Sequence, residues 1–126
     1  MVIDTSALLA IFFAEPYGEW AAARLSERAE ELCMSTVNLT ETLIRVRDRQ
    51  PRLFEKIEAE LLSSGIRFVP PDVRQARIAA EARLRYPLNL GDCFAYALAT
   101  VEDLPILALD GDFRSTDRPV VHPEAS

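Results

Sequence analysis

Four aspartates of this sequence stand at predicted junctions of strands and helices, where α/β proteins place groups that do chemistry. Asp4 ends a short predicted strand, and Asp110 and Asp112 follow the fourth predicted strand. Asp92 opens a predicted apolar helix immediately after Gly91. Because parallel strands end at the same edge of a sheet, we expect these acids, which come from distant parts of the chain, to converge there.

Clustered carboxylates need a partner of opposite charge. Two of them at about 4 Å repel by about 4 kcal/mol at an effective dielectric constant near 20. Such a cluster persists only if something binds it, and a site made of oxygen ligands alone selects hard cations such as Mg²⁺ or Mn²⁺. These ions promote in-line displacement at phosphodiesters. The acids therefore predict a metal-dependent hydrolase.

Each acid also has an ordinary structural explanation. Asp4 could cap the helix that follows it, and Asp92 could be a first-turn acid that stabilises its helix dipole by about 0.3–1 kcal/mol. Asp110 and Gly111 form a common turn dipeptide. Taken one at a time, these explanations are at least as good as a functional role.

Glu41 is a further candidate because of its place on the predicted helix at residues 36–49. At about 100° per residue, Glu41 lies at the margin of the apolar half of this helix, beside Val37 and Ile44. The alternative is an i,i+4 ion pair with Arg45, worth about 0.3–0.5 kcal/mol. The position at the edge of the core favours a cleft.

The alternation of elements predicts one α/β domain over residues 1–126, a short parallel β-sheet flanked by helices on both faces. Strands are expected at residues 2–4, 32–35, 66–69, 105–109 and 119–121. Helices are expected at residues 6–13, 16 to about 29, 36–49, 51–64, 71–86 and 92–102. Ser35 or Thr36 is a suitable N-cap for the third helix, and Gly65 ends the fourth.

Composition excludes several classes of protein. The net charge of −6 argues against a protein that coats nucleic acid through a basic face. His122 is the only histidine, so a ribonuclease with two catalytic histidines is excluded, and the phosphate-binding motifs GxxxxGK[ST] and GxGxxG are absent. Cys33 and Cys93 are expected to be buried thiols, with a disulfide between them as the alternative. The chain shows no signal peptide and no membrane span of about 20 apolar residues, so we expect a cytoplasmic protein.

The sequence resembles the PIN-domain family, and within it the VapC ribonuclease toxins. The segments that carry the resemblance are MVIDTSALLAIFFAEP, MSTVNLTETLIRV, LNLGDCFAYALA and PILALDGDFRSTD. They span nearly the whole chain in the right order and spacing. VIDTSAL alone is modest evidence, whereas VIDTSAL followed much later by GDCFAYALA is strong.

The resemblance assigns the family's first three acids to Asp4, Glu41 and Asp92. The fourth belongs to a GxDF-like segment, here GDF, which favours Asp112 and leaves Asp110 as the alternative. Asp4 and Asp92 are implied to be the main metal ligands. Glu41 and one of the two later aspartates would complete the pocket directly or through water.

The resemblance also implies supporting residues, a cofactor and partners. Thr5 and Ser6 match hydroxyl positions that support the first aspartate. The implied cofactor is Mg²⁺ or Mn²⁺, and the implied reaction is hydrolysis of RNA. The implied partners are a second copy of the chain in a homodimer and a small antitoxin, which often places an arginine or lysine in the acidic pocket.

Two surface features are weaker candidates. Arg45, Arg47 and Arg49 lie in the basic segment RVRDRQPR and could contact RNA phosphates, although a solvated helix end explains them as well. An apolar stripe is a candidate dimer surface, with core packing as the alternative; it consists of Leu53, Phe54, Ile57, Leu61 and Leu62. Tyr17 and Trp20 are expected to pack the second helix rather than to bind a partner.

Other functions remain open on the sequence alone. A haloacid dehalogenase-type phosphatase has an acid two residues after its nucleophile, where this chain has Ser6, and a receiver domain has a lysine near its site, whereas Lys56 lies inside a helix. The closer alternatives are an RNA-processing nuclease of the PIN fold outside any toxin–antitoxin pair, and a non-catalytic binding module. Retention of all the acids argues against the last.

Overall fold

A five-stranded parallel sheet lies at the centre of the structure, a computed structural model that describes residues 1–27 and 31–124. Its strands are β1 (Val2–Ile3), β2 (Cys33–Ser35), β3 (Arg67–Val69), β4 (Ile106–Leu107) and β5 (Val120–Val121). The helices are α1 (Thr5–Phe12), α2 (Gly18–Glu27), α3 (Thr36–Arg49), α4 (Phe54–Leu62), α5 (Val73–Arg85) and α6 (Leu90–Glu102). The predicted α/β class with a parallel sheet is confirmed.

Several predicted boundaries differ from those in the structure. The predicted helix from Pro51 begins with a 3-10 turn, Pro51–Leu53, because the Leu53 amide bonds to the Gln50 carbonyl at 3.0 Å in a three-residue step. The strand predicted at 105–109 pairs only through Ile106–Leu107. The predicted end of the second helix near Ala29 lies outside the described residues.

The order of the strands is β3-β2-β1-β4-β5, so β1 lies between β2 and β4. The chain builds β2 and β3 on one side of β1 and then crosses to the other side for β4 and β5. Val2 pairs with both Cys33 and Ile106, and the Asp4 amide donates to the Leu107 carbonyl at 2.9 Å. The carboxyl ends of β1 and β4 thus meet at the point where the strand order reverses, which is where open α/β sheets bind ligands.

Helices cover both faces of the sheet, as the sequence predicted. Successive side chains of a strand point to opposite faces, so Val2 packs in one core with α5 and α6, and Ile3 packs in the other with α1, α2 and α4. The face of α3 that carries Val46 belongs to the second core. Within the described ranges, no helix is long and apolar enough to cross a membrane. Cys33 and Cys93 are buried free thiols, as expected.

The apolar stripe that the sequence offered as a dimer surface is divided by the fold. Ile57 and Leu61 are buried in the core beneath α4, and Phe54 is half-buried against it. Leu53 and Leu62 are exposed. The prediction of one five-residue dimer surface is therefore wrong for Ile57 and Leu61, because helical periodicity indicates an apolar face without indicating what covers it.

Phe113 fixes the segment that follows β4. It lies in a 3-10 turn, Asp112–Ser115, and its side chain is fully buried in the core with α6. We expect Phe113→Ala to lower the free energy of unfolding by about 3–5 kcal/mol because it leaves a cavity, whereas Phe113→Leu should cost less than about 1.5 kcal/mol. Urea unfolding followed by circular dichroism measures both. Equal costs for the two variants would show that the turn is loosely packed.

Candidate active site

Three aspartates meet at the carboxyl edge of the sheet. Carboxylate oxygens of Asp4, Asp92 and Asp110 all lie within 4.8 Å of one another. Asp4 is 2% exposed and Asp92 is 5% exposed, while Asp110 is partly buried. They come from the end of β1, the first turn of α6 and the segment after β4, so the structure places these three acids together as the strand order requires.

Asp4 is held in place by the start of α1. It is the N-cap of that helix, and its Oδ2 accepts from the Ser6 amide at 3.1 Å and from the Ser6 hydroxyl at 2.7 Å. The Ser6 hydroxyl in turn accepts from the Leu109 amide at 2.9 Å. Ser6 therefore joins the carboxylate after β1 to the backbone just before Asp110.

Asp92 and Asp110 are also oriented by local turns. Asp92 forms a capping box with Asn89, in which Asp92 Oδ2 accepts from the Asn89 amide at 3.2 Å and the Asp92 amide donates to Asn89 Oδ1 at 2.8 Å. Asp110 Oδ1 accepts from the Asp112 amide at 3.2 Å. The ordinary explanations of these acids as caps and turn residues are thus correct, and the caps point the carboxylates toward one another.

The structure separates the two candidates for the fourth acid. Asp110 belongs to the group within 4.8 Å, whereas Asp112 is exposed at the start of the 3-10 turn and lies outside it. The charge of Asp112 is still close enough to raise the pKa of Asp92. The geometry favours Asp110 as the ligand, where the motif favoured Asp112.

Glu41 lies at the edge of the group. Its Oε1 accepts from the Thr5 hydroxyl at 2.9 Å and from Asn38 Nδ2 at 2.9 Å. The alternative ion pair with Arg45 does not form in the described part of the chain. Glu41 is outside the 4.8 Å group, yet its charge helps to raise the pKa of Asp92.

Asn38 is a residue that the sequence analysis missed. It is fully buried, and its Nδ2 donates both to Glu41 and to the Gly91 carbonyl at 3.0 Å. It thereby connects α3 to the first turn of α6, one residue before Asp92. No sequence signal marked it, because at about 100° per residue Asn38 lies opposite the apolar half of the predicted helix, and only the contact with α6 buries it.

Gly91 leaves room for the Glu41 carboxylate because it has no side chain. A Cβ atom at position 91 would collide with both carboxylate oxygens of Glu41. Gly111, near Asp110, has nothing within 4 Å of the corresponding position. Only the first glycine is therefore required by its neighbours.

We expect Gly91→Ala to force Glu41 away from Thr5 and Asn38. The loss of two hydrogen bonds should lower the free energy of unfolding by about 1–3 kcal/mol, despite the better helix propensity of alanine. Gly111→Ala is the matched control and should change it by less than about 0.5 kcal/mol. Denaturant unfolding of both variants tests this, and equal stability would mean that Glu41 is not held against Gly91.

His122 is a second residue whose place the sequence did not reveal. Its buried ring has Nδ1 at 2.7 Å from Arg114 Nη2 and 3.1 Å from the Glu124 amide. Both partners are donors, so Nδ1 accepts and the proton lies on Nε2, which donates to the Leu109 carbonyl at 2.9 Å. Ser6 and His122 thus hold the amide and the carbonyl of the residue that precedes Asp110.

Burial and neighbouring carboxylates raise the proton affinity of the three acids. Burial, and then the charge of Asp110, raises the pKa of Asp4 to about 8. Burial likewise raises the pKa of Asp92 to about 6 and increases that of Asp110. Among residues 1–27 and 31–124, no ion pair includes any of the three. The group therefore carries an uncompensated negative potential.

A divalent cation fits this donor set. The ligands are carboxylate oxygens without a protein counter-charge, which suits Mg²⁺ or Mn²⁺. Two oxygens that each lie about 2.1 Å from one ion are at most about 4.2 Å apart. The observed spread of up to 4.8 Å needs only a small rotation of the side chains to reach that value.

We expect the metal-free protein to lose stability as pH rises from about 4 to about 8. The folded-state pKa values of Asp4 and Asp92 lie above their usual value of 3.8, so the folded protein binds more protons than the unfolded chain in this range; the loss from Asp92 is complete above about pH 6 and that from Asp4 above about pH 8. Asp92→Asn should stabilise the metal-free protein at pH 8 by on the order of 1 kcal/mol, because it removes a charge and keeps an acceptor for Asn89.

Thermal melts with and without Mn²⁺ complete this test. The ion should raise the melting temperature of the wild type by mass action and do far less for Asp92→Asn. Asp48→Asn, at an exposed position of α3, controls for the loss of any one negative charge. A wild type that does not respond to Mn²⁺, together with a destabilised Asp92→Asn variant, would show that the acids act only as caps.

Comparisons with known proteins agree with this geometry. The family model "PIN domain" matches residues 1–119. The chain is 38% identical over 131 residues to a ribonuclease VapC of Mycolicibacterium smegmatis, a match that covers 97% of this chain and all of that protein. It matches the Mycobacterium tuberculosis toxin VapC20, described as cleaving the sarcin-ricin loop, with TM-score 0.83 and 20% identity over 97% and 98% of the two chains.

A toxin–antitoxin complex from Klebsiella pneumoniae is also similar in structure. The TM-score is 0.77 and the identity is 17%, over 95% of both chains. At these identities, the two solved structures show a shared fold. The evidence for closer kinship is the match to the mycobacterial relative over its full length.

Proposed function

This chain belongs to the PIN-domain family, and on that basis we propose that it is a metal-dependent endoribonuclease that acts as the toxin of a toxin–antitoxin pair. The observation that carries the proposal is the convergence of Asp4, Asp92 and Asp110 where the strand order reverses. RNA is the proposed substrate because the relative that matches this chain from end to end is named a ribonuclease.

The proposed metal ligands are Asp4, Asp92 and Asp110, and the proposed cofactor is Mg²⁺ or Mn²⁺. When bound there, such an ion supplies a Lewis acid for the phosphodiester and a means of activating water. Ser6 orients Asp4, and Asn89 orients Asp92, so that each carboxylate needs only a small rotation to become a ligand. Because the pKa of Asp4 is near 8, its proton must leave before it becomes a ligand, and metal affinity should rise with pH.

Glu41 is proposed to act beside the metal ligands by binding a water molecule. Hydrogen bonds from Thr5 and Asn38 both end on Oε1, so Oε2 is available to hold a water at the edge of the group. Asp112 contributes negative charge from the surface. In this arrangement no side chain attacks the phosphate, and the protein positions water, metal and substrate.

A second copy of the chain and an antitoxin are the proposed protein partners. An antitoxin is supported by the similarity to a toxin–antitoxin complex. An acidic group without a counter-charge is also a suitable receptor for an inserted arginine or lysine. For a homodimer, exposed apolar side chains such as Leu84 and Leu90 offer surface outside the core. A nuclease outside any toxin–antitoxin pair is the remaining alternative, and neutralisation by a co-expressed antitoxin distinguishes the two.

We expect Asp4→Asn and Asp92→Asn each to reduce RNA cleavage by about 100-fold or more, since several kcal/mol of transition-state stabilisation depend on the metal. Asp110→Asn should behave in the same way, whereas Asp112→Asn should keep more than about a tenth of the activity because it lies outside the ligand group. Cleavage of single-stranded RNA by purified protein with Mn²⁺ measures this, with circular dichroism as the check on folding.

Two results would contradict these assignments. Full activity of a folded Asp4→Asn or Asp92→Asn variant would remove the catalytic role of the acids. A greater loss in Asp112→Asn than in Asp110→Asn would restore the motif's choice of the fourth acid. In cells, induced expression of the wild type should arrest growth and the Asp92→Asn variant should not.

A further inference from the structure

A cleft of about 380 Å³ opens beside the acids. Its lining includes Ser6, Leu109 and Asp110, which belong to the site described above, and also Tyr17 and Arg45. The volume is within the range of about 300–1,000 Å³ found for small-ligand pockets. A chain that crosses the acids therefore has an adjoining space of suitable size for one of its units.

Tyr17 lines this cleft from a strained backbone conformation. Its φ is +69°, a region that bulky side chains rarely adopt, and the side chain is 49% exposed instead of packing α2 as the sequence predicted. The loop is fixed by the Glu15 amide, which donates to the Ala10 carbonyl at 2.9 Å, and by Gly18, where a Cβ would collide with that carbonyl. A strained and exposed aromatic ring that packs no core points to a binding role.

Arg45 is the cation that lines the same cleft as Tyr17. Of the three arginines that the sequence offered for RNA, Arg47 lies over the Phe54 ring at 5.0 Å and Arg49 over the Phe13 ring at 4.0 Å. Arg45 is exposed, and in the described part of the chain it makes neither an ion pair nor a ring contact.

We propose that this Tyr17–Arg45 cleft binds the nucleotide next to the scissile phosphate of single-stranded RNA, with the base stacked on Tyr17 and a phosphate at Arg45. The inference rests on the proposed ribonuclease function and deepens it by assigning a nucleotide subsite. Unpaired bases stack on aromatic rings irrespective of sequence, and a guanidinium binds phosphate in a bidentate manner. Glu15 also lines the cleft, and its carboxylate can accept from an N–H group of the base.

The charge of the protein makes such a local subsite necessary. With a net charge of −6, the chain cannot hold RNA through a general basic surface. One ring and one guanidinium at the edge of the acidic group supply stacking and charge where the strand must pass. The competing occupant is a peptide segment. RNA is favoured because a peptide needs neither a group that binds phosphate nor a cleft that is continuous with Asp110.

The test uses Tyr17→Asn, which removes the ring while asparagine tolerates positive φ, so the fold is retained. In the Asp92→Asn background, which does not cleave, fluorescence anisotropy of a labelled short single-stranded RNA should show affinity weaker by about 5- to 100-fold than with Tyr17 present. Tyr17→Phe keeps the ring and should restore most of that affinity. In the active protein, Tyr17→Asn should raise KM by a similar factor with little change in kcat.

Arg45→Ala and Arg47→Ala form a matched pair on the same helix. Arg45→Ala should reduce the slope of log affinity against log salt concentration by about 0.7, the value for one phosphate contact with a single strand. Arg47→Ala should leave that slope unchanged, because its guanidinium is engaged with Phe54.

The outcomes separate this proposal from the proposed function. A wild type that cleaves RNA, with unchanged KM and RNA affinity in Tyr17→Asn and Arg45→Ala, overturns the subsite and leaves the nuclease in place. Weakened antitoxin binding in these variants with unchanged RNA affinity means that a protein segment occupies the cleft, and it also overturns the subsite. A wild type that cleaves no RNA refutes the proposed function, while the anisotropy measurements still decide whether the cleft binds a nucleotide.

Discussion

Carboxylates that lie close together and away from water repel each other more strongly than carboxylates at a surface, and this repulsion governs the design of the site. Asp4, Asp92 and Asp110 cannot turn away from one another, because each is fixed by a hydrogen bond within its own turn. The packed sheet and helices keep those turns together. Packing of the two cores thus holds together carboxylates whose repulsion is relieved by protonation or by a bound cation.

Two of the carboxylates that are proposed to act in catalysis also cap helices. Asp4 caps α1 and Asp92 closes a capping box on α6, so the contacts that start these helices also set the direction of the carboxylates. A cap is a short-range feature that forms whenever its helix forms. The site therefore needs few residues dedicated to orientation alone, and Ser6, Asn38 and His122 complete it by linking segments that are distant in sequence.

Short-range patterns predicted much of this structure, and long-range contacts account for what they missed. Apolar periodicity indicated the parallel sheet, the buried helix that carries Asp92 and the place of Asp4 at a strand end. The proposed choice of Asp110 over Asp112 as a metal ligand depends on where β4 stops pairing and the 3-10 turn begins, and these points are set by the neighbouring strands. The donor role of His122 toward Leu109 depends on tertiary packing, and it leaves no periodic signal in the sequence.

The central position of β1 has a consequence for the synthesis of the protein. β1 is synthesised well before β4, the strand with which it pairs, and the Ser6 hydroxyl accepts from an amide 103 residues later in the chain. A nascent chain that ends at α6 already contains Asp4, Glu41 and Asp92, but it lacks β4, which is one of the two strands that border β1, and the third aspartate of the group. The group of acids is therefore incomplete until β4 and Asp110 have been synthesised and His122 has bonded to the Leu109 carbonyl.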